Sequence, residues 1–180
     1  MYQELKTTNM NKLRYVILAS LLAVGSIIAS PNPVTPVVNQ PTGEEETGLV
    51  WYSFDEGYNK AVKEDKIILI DAYTDWCGWC KVMDKKTYTQ ASVIEYLNEN
   101  FVCVKLNPEV EKEYKFADKT MRSSELLQYL GHGKVTGYPT TIFWLHPTQE
   151  EQRFVQPGFL GPDDFLGLLK SAQAAKVKKS

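Results

Sequence analysis

The chain has 180 residues, room for one domain of ordinary size and a tail. At 43% hydrophobic and 23% charged, it is neither disordered throughout nor collagen-like. A formal net charge of −2 gives no basis for nucleic-acid binding, and three cysteines are too few for a disulfide-stapled scaffold.

Residues 1–30 set Lys6, Lys12 and Arg14 against Glu4, whereas the rest of the chain is acidic. Tyr15 to Ser30 is a run of 16 residues without a charge, preceded by Lys12 and Arg14 and followed by Pro31. A membrane-spanning helix needs roughly 20 apolar residues. A basic flank, a short apolar stretch and small residues at its end predict a secretory signal peptide over residues 1–30. Ile28 departs from the small-residue pattern expected before a cleavage site at Ser30, so an uncleaved signal anchor stays open. A buried core helix fits poorly, because the run is apolar on every face. Either reading puts the rest of the chain outside the cytoplasm, periplasmic in a bacterium, and touching a membrane only through an uncleaved anchor. Residues 31–48 hold four prolines and an acidic triplet and read as a flexible linker.

A folded domain is predicted over residues 49–175, with a basic tail at 176–180. Leu49–Phe54 reads as a short strand and Asp55–Lys66 as a helix with a thin apolar stripe. Ile67–Tyr73 is nearly continuous in apolar residues, the pattern of a strand buried on both faces. Lys81–Thr89 reads as helix. Ser92 and Glu95 form a capping box that opens another. Phe101–Leu106 is a second core strand, stopped by Asn107-Pro108. Residues 109–122 are too charged to assign. Ser123 or Ser124 caps a helix that Gly131 ends. Thr140–Leu145 and Gln152–Gln156 read as a hairpin, and a last helix runs from Asp163 to about Ala174 behind Pro162. The order predicts an α/β fold, a central mixed sheet flanked by helices and closed by a C-terminal hairpin and helix.

The chemistry is concentrated at Cys77-Gly78-Trp79-Cys80. A C-x-x-C pair after a buried strand and at the opening of a helix sits beside unpaired N–H groups and about half a positive charge. That position favours a thiolate at Cys77 and predicts a pKa below that of a free thiol. Cys77 is expected to be the exposed nucleophile, and Cys80, one turn inward, the thiol that resolves the mixed disulfide. Zinc would need further ligands, and no zinc spacing links Cys103, His132 and His146 to the pair. A purely structural bridge closing so short a loop removes little chain entropy.

Asp71 interrupts an apolar strand six residues before Cys77. Buried, its pKa rises, and it can accept or relay the proton of Cys80. Lys105 is the matching anomaly in the second core strand and can pair with it. Trp76 and Trp79 are expected at the rim of a docking surface. Pro139 opens a central strand, a placement that a cis bond in a tight turn would explain. Cys103 falls on the same strand face as Lys105 and reads as a small buried hydrophobe.

The run I-L-I-D-A-Y-T-D-W-C-G-W-C-K, followed by V-K-L-N and by G-Y-P-T before a hairpin, resembles the thioredoxin superfamily across the folded part. The local text around D-W-C-G-W-C-K-V-M-D-K-K-T-Y is similar to exported members such as the C-terminal periplasmic domain of DsbD-type thiol:disulfide interchange proteins. The resemblance implies that Cys77 attacks and Cys80 resolves, the pair forming the redox-active disulfide. It matches Asp71 and Lys105 to the buried acid and its lysine neighbour. Pro139 corresponds to a cis-proline facing the disulfide, and Tyr138 to a residue that contacts substrate backbone. Gly78 and Trp79 lie between the cysteines, where Trp79 replaces the usual proline and leaves the direction of electron flow open.

The resulting expectation is an exported oxidoreductase that reduces or isomerises disulfide-bonded proteins. No metal or cofactor is called for, and a membrane-bound partner is expected to supply electrons. The alternatives are oxidation rather than reduction, or a thioredoxin-fold module that binds polypeptides without turning them over.

Overall fold

The structure is a computed structural model that describes residues 48–178. In chain order its elements are β1 (Trp51–Tyr52), α1 (Phe54–Glu64), β2 (Ile67–Ala72), α2 (Gly78–Lys86), α3 (Ala91–Asn100) and β3 (Phe101–Leu106). There follow β4 (Glu113–Phe116), β5 (Lys119–Arg122), α4 (Ser123–Leu130), β6 (Thr140–Trp144), β7 (Arg153–Pro157) and α5 (Pro162–Lys178). The predicted signal segment and nearly all of the predicted linker lie outside the described residues. Among those described, no helix is long and apolar enough to cross a membrane.

The two apolar runs form the centre of a five-stranded sheet ordered β1-β3-β2-β6-β7. β1, β3 and β2 are mutually parallel, β6 pairs antiparallel with β2, and β7 pairs antiparallel with β6, returning to the first direction. This is the mixed sheet expected, with the hairpin at one edge. Strand alternation divides the core. Ile68, Ile70, Ala72, Val102 and Val104 face α1, α4 and the β4–β5 hairpin. Ile67, Leu69, Phe101 and Cys103 face the side covered by α3 and α5. Asp71 and Lys105 belong by alternation to that second face. Phe54, Phe143, Trp144 and Phe165 are fully buried, each contributing about 1.5–3 kcal/mol over the exposed state.

α1 packs so closely on β3 that a methyl at Gly57 would lie 2.3 Å from Val104 Cγ2. Val104 is fully buried on a central strand and cannot turn away. Gly57→Ala is therefore expected to lower stability by about 1–2 kcal/mol, overpacking exceeding the better helix propensity of alanine. A urea-unfolding midpoint equal to or above the parent's would show that α1 can lift off the sheet.

Several local expectations are corrected. The strand read over Leu49–Phe54 is two residues long, because Ser53 leaves it to cap α1. There the Glu56 carboxylate accepts from the Ser53 N–H (3.3 Å) and hydroxyl (2.7 Å). The box expected at Ser92 does not form; α3 begins at Ala91 with Gln90 as its N-cap, so Ser92 is already inside the helix. α4 is capped at Arg122, whose N–H donates to Glu125 (2.8 Å), while the Ser123 hydroxyl turns away to Val110 O (2.6 Å). The last helix continues to Lys178. Lys176, read as part of a basic tail, is buried and donates to Asp65 Oδ1 (2.9 Å) and to the Asp65 carbonyl. The unassigned stretch forms the β4–β5 hairpin, which sends Tyr114 and Met121 into the core.

Candidate active site

The parallel strand β2 ends at Ala72, and a short turn carries the chain into α2. In that turn the Cys77 N–H donates to Thr74 O at 3.1 Å, so Cys77 is fixed as the N-cap of the helix. Cys77 and Cys80 are joined by a disulfide, with Cα atoms 5.3 Å apart. The Cys80 N–H donates to Cys77 Sγ at 3.0 Å. One of the orphan donors of the helix N-terminus is thus aimed at the sulfur where a thiolate would form.

The expected exposure of Cys77 is not observed: both cysteines are 3% exposed. Closing the ring draws Cys77 Sγ toward the first turn of α2, and it is Gly78 that lies open to solvent. The tryptophans on either side stand out instead, Trp76 at 68% and Trp79 at 62% exposed. Each leans on one ring from a distant segment. Trp76 meets Tyr138 edge-on at 6.1 Å, and Trp79 meets Phe159 at 5.5 Å. The Tyr138–Pro139 bond is cis. Its loop is held by the Thr140 hydroxyl donating to Gly137 O (2.7 Å) and by the Gly158 N–H donating to Pro139 O (2.8 Å).

On the sheet, the in-register pairing of β2 with β3 sets Asp71 opposite Lys105. Lys105 Nζ lies 3.0 Å from Asp71 Oδ2 and 2.5 Å from Asp84 Oδ1 of α2. The ammonium also sits 4.9 Å from the Trp51 and Tyr73 ring centroids. Asp71 is 2% exposed. Burial pushes its carboxyl up to about 6, with Lys105 pulling in the opposite direction. Burial also works against charge on Lys105, but Asp71 and Asp84 outweigh it and hold the ammonium above its ordinary value. Among the described residues, Asp71 Oδ1, the Tyr88 hydroxyl and the Thr141 hydroxyl are buried and make no close hydrogen bond, although Tyr88 lies near enough to Asp71, and Thr141 to Tyr88, to act on the neighbour's ionisation. Thr141 stands opposite Asp71 across β2 and β6. Cys103 is buried, and loss of water there pushes its thiol far above the ordinary range.

Sequence reasoning missed Asp84, Tyr88 and Phe159. Asp84 had a signal: it follows Cys80 by four residues, one helical turn along the same face. Among the described residues, no group of three His, Cys, Asp or Glu side chains is placed to hold a metal ion.

A family model described as "Thioredox_DsbH: Protein of unknown function, DUF255" matches residues 42–175. The chain belongs to this DsbH/DUF255 family. It is 29% identical over 151 residues to spermatogenesis-associated protein 20 of Mus musculus, which covers 76% of this chain and 17% of that protein. It is also 29% identical over 106 residues to the thiol:disulfide interchange protein DsbD of Actinobacillus pleuropneumoniae, covering 59% of this chain and 16% of that protein. The DsbH/DUF255 chain thus spans about a sixth of the length of these relatives. The solution structure of a thioredoxin from Thermus thermophilus superposes with a TM-score of 0.55 at 18% identity, covering 69% of this chain and 86% of that one. That likeness shows the fold. The resemblance read from the motifs is borne out: this is a thioredoxin-fold domain related to the disulfide oxidoreductases, with a disulfide between Cys77 and Cys80.

Proposed function

We propose that this protein is an exported thiol:disulfide oxidoreductase that reduces or isomerises disulfides in polypeptide substrates through Cys77 and Cys80. The observation that carries the reading is the Cys80 N–H aimed at Cys77 Sγ at the start of α2. In the reduced protein, that donor and the helix dipole stabilise a Cys77 thiolate. The thiolate attacks one sulfur of a substrate disulfide; the substrate S–S bond breaks and a Cys77–substrate bond forms. Cys80 then attacks Cys77 Sγ, expels the second substrate thiol and closes the protein disulfide. Two electrons pass to the substrate, and two protons follow them from the dithiol.

In this reading the buried Asp71 takes the proton of Cys80, supported by its raised carboxyl pKa, and Lys105 keeps that acid close to its working range. Trp76, Trp79 and the half-buried Tyr138 offer the substrate an aromatic, partly exposed surface, with the cis Pro139 buried behind it and the exposed Gly78 between the tryptophans over the covered disulfide. The DsbD relative's name, thiol:disulfide interchange protein, supports the chemistry. The apolar run at 15–30 supports a site of action outside the cytoplasm, and a membrane-bound protein is the proposed electron donor.

Insulin reduction in dithiothreitol tests this reading. Precipitation of the insulin B chain is expected to accelerate with the wild-type protein and to fall to the background rate with Cys77→Ser. Equal rates in the two samples would favour a module that binds polypeptides without exchanging disulfides. Equilibration with glutathione buffers then fixes the direction: a potential near −270 mV marks a reductant and one near −120 mV an oxidant.

A further inference from the structure

Trp76 is held by a residue that the dithiol chemistry does not use. Its indole N–H donates to Glu109 Oε1 at 2.8 Å. Glu109 is exposed, and its second oxygen accepts no hydrogen bond among the described residues. The loop that carries it is well fastened. The Glu109 N–H donates to the Asn107 side chain (2.9 Å), and Val110 O accepts from the Ser123 hydroxyl (2.6 Å). Asn107 itself is buried. The nearest base in the loop, Lys112, is turned to Asp55 (2.8 Å) and the Tyr114 ring (4.5 Å), so it does not neutralise Glu109. Burial raises the Tyr138 hydroxyl pKa, and the negative charge of Glu109 adds to the rise, which places that carboxylate's field over the Tyr138 side of the disulfide.

Glu109, Trp76 and Tyr138 together make a corner of one carboxylate and two aromatic rings beside Cys77. A lysine or arginine fits it on two counts, by charge pairing and by contact of the cation with the ring faces. An acidic side chain meets repulsion there. We propose that Glu109 is a specificity-determining residue that favours polypeptide disulfides in which basic residues flank the reacting cysteine. The proposal rests on the oxidoreductase reading above and names its substrate class.

The test uses the full-length reduced protein and three synthetic peptides. Each has one cysteine in mixed disulfide with 2-mercaptoethanol, flanked on both sides by lysine, glutamine or glutamate. Cys77 attacks the peptide sulfur, mercaptoethanol leaves, and Cys80 releases the peptide thiol as the protein disulfide closes. Single-turnover rates are divided by the rate of the same peptide with dithiothreitol, which removes the effect of flanking charge on the disulfide itself. The normalised rate is expected to be about tenfold higher for the lysine than for the glutamate peptide at low salt. The ratio should fall to within about twofold of one in Glu109→Gln. An equal ratio in wild type and Glu109→Gln, or no preference in wild type, overturns the specificity proposal while leaving the exchange chemistry intact. Reduction of none of the peptides overturns the oxidoreductase reading and this proposal with it.

Discussion

Replacing Cys80 with serine is expected to turn turnover into capture. Cys77 still attacks the substrate disulfide, but no thiol follows to expel the bound half, so a Cys77–substrate mixed disulfide accumulates. Non-reducing gels of Cys80→Ser incubated with a disulfide-bonded substrate should show adducts that dithiothreitol dissolves. Insulin reduction by the same variant should fall to the background rate. Exposure does not distinguish the two, since both cysteines are 3% exposed in the disulfide form. It rests on asymmetry in hydrogen bonding: Cys77 Sγ accepts from the Cys80 N–H, whereas no N–H among the described residues points at Cys80 Sγ. Adducts formed by Cys77→Ser in place of Cys80→Ser would reverse the two roles. The Cys77→Ser/Cys80→Ser double variant retains only Cys103, which is buried with its thiol strongly protonated, and it should form none.

The two core strands were legible because a strand buried on both faces leaves a continuous apolar run, and Asp71 and Lys105 each broke such a run. Their contact was legible for a further reason. Each is the fifth residue of a six-residue strand, and the parallel pairing of Ile67 with Phe101 brings them level. The second acid on Lys105 was less visible. Asp84 arrives from α2, and its arrival depends on how that helix sits over the sheet, which one-dimensional spacing does not state. The exposure of Cys77 was misjudged for a similar reason: the backbone at a helix start is open, but the sulfur's position follows from ring closure.

The β4–β5 hairpin shows where reading failed although the pattern was present. Glu113-Tyr114-Lys115-Phe116 and Lys119-Thr120-Met121-Arg122 place Tyr114 and Met121 on the buried face, between exposed charged or polar neighbours. The turn between them is Ala117-Asp118, both at positive φ (52° and 56°). Such a turn is ordinarily announced by Asn-Gly or Asp-Gly, because β-carbons make that backbone region costly. Without that signal the stretch is too charged to assign. The same stretch hid Glu109, since an exposed glutamate in an unassigned segment gives no hint that it folds back onto Trp76.

Asp71→Asn is expected to raise stability and slow exchange together. Burial pushes the carboxyl up to about 6 in the fold, against an ordinary aspartate value of 3.8. The folded protein therefore holds this proton over a pH range in which the unfolded chain has released it. Below about 4 both states are protonated and ionisation costs nothing. As pH rises from there through 6 the native state loses stability relative to the unfolded one, and above that range the deficit is constant. Two pKa units correspond to at most about 3 kcal/mol. Asparagine carries no such cost, and Lys105 keeps Asp84 as a partner at 2.5 Å. The unfolding midpoint in urea should thus favour Asp71→Asn by the largest margin near pH 8, with the gap closing toward pH 4. A gap that does not vary with pH would trace the gain to packing and remove ionisation as its cause. The functional half moves the other way. Without a carboxylate to accept the Cys80 proton, resolution of the mixed disulfide at neutral pH should slow, and the wild-type rise in rate as pH passes about 6 should disappear. Asparagine preserves the size of the side chain, so a change in the shape of that pH profile reports the proton and not the fold. An unchanged profile in Asp71→Asn would leave Asp71 as a stability cost with no part in the exchange.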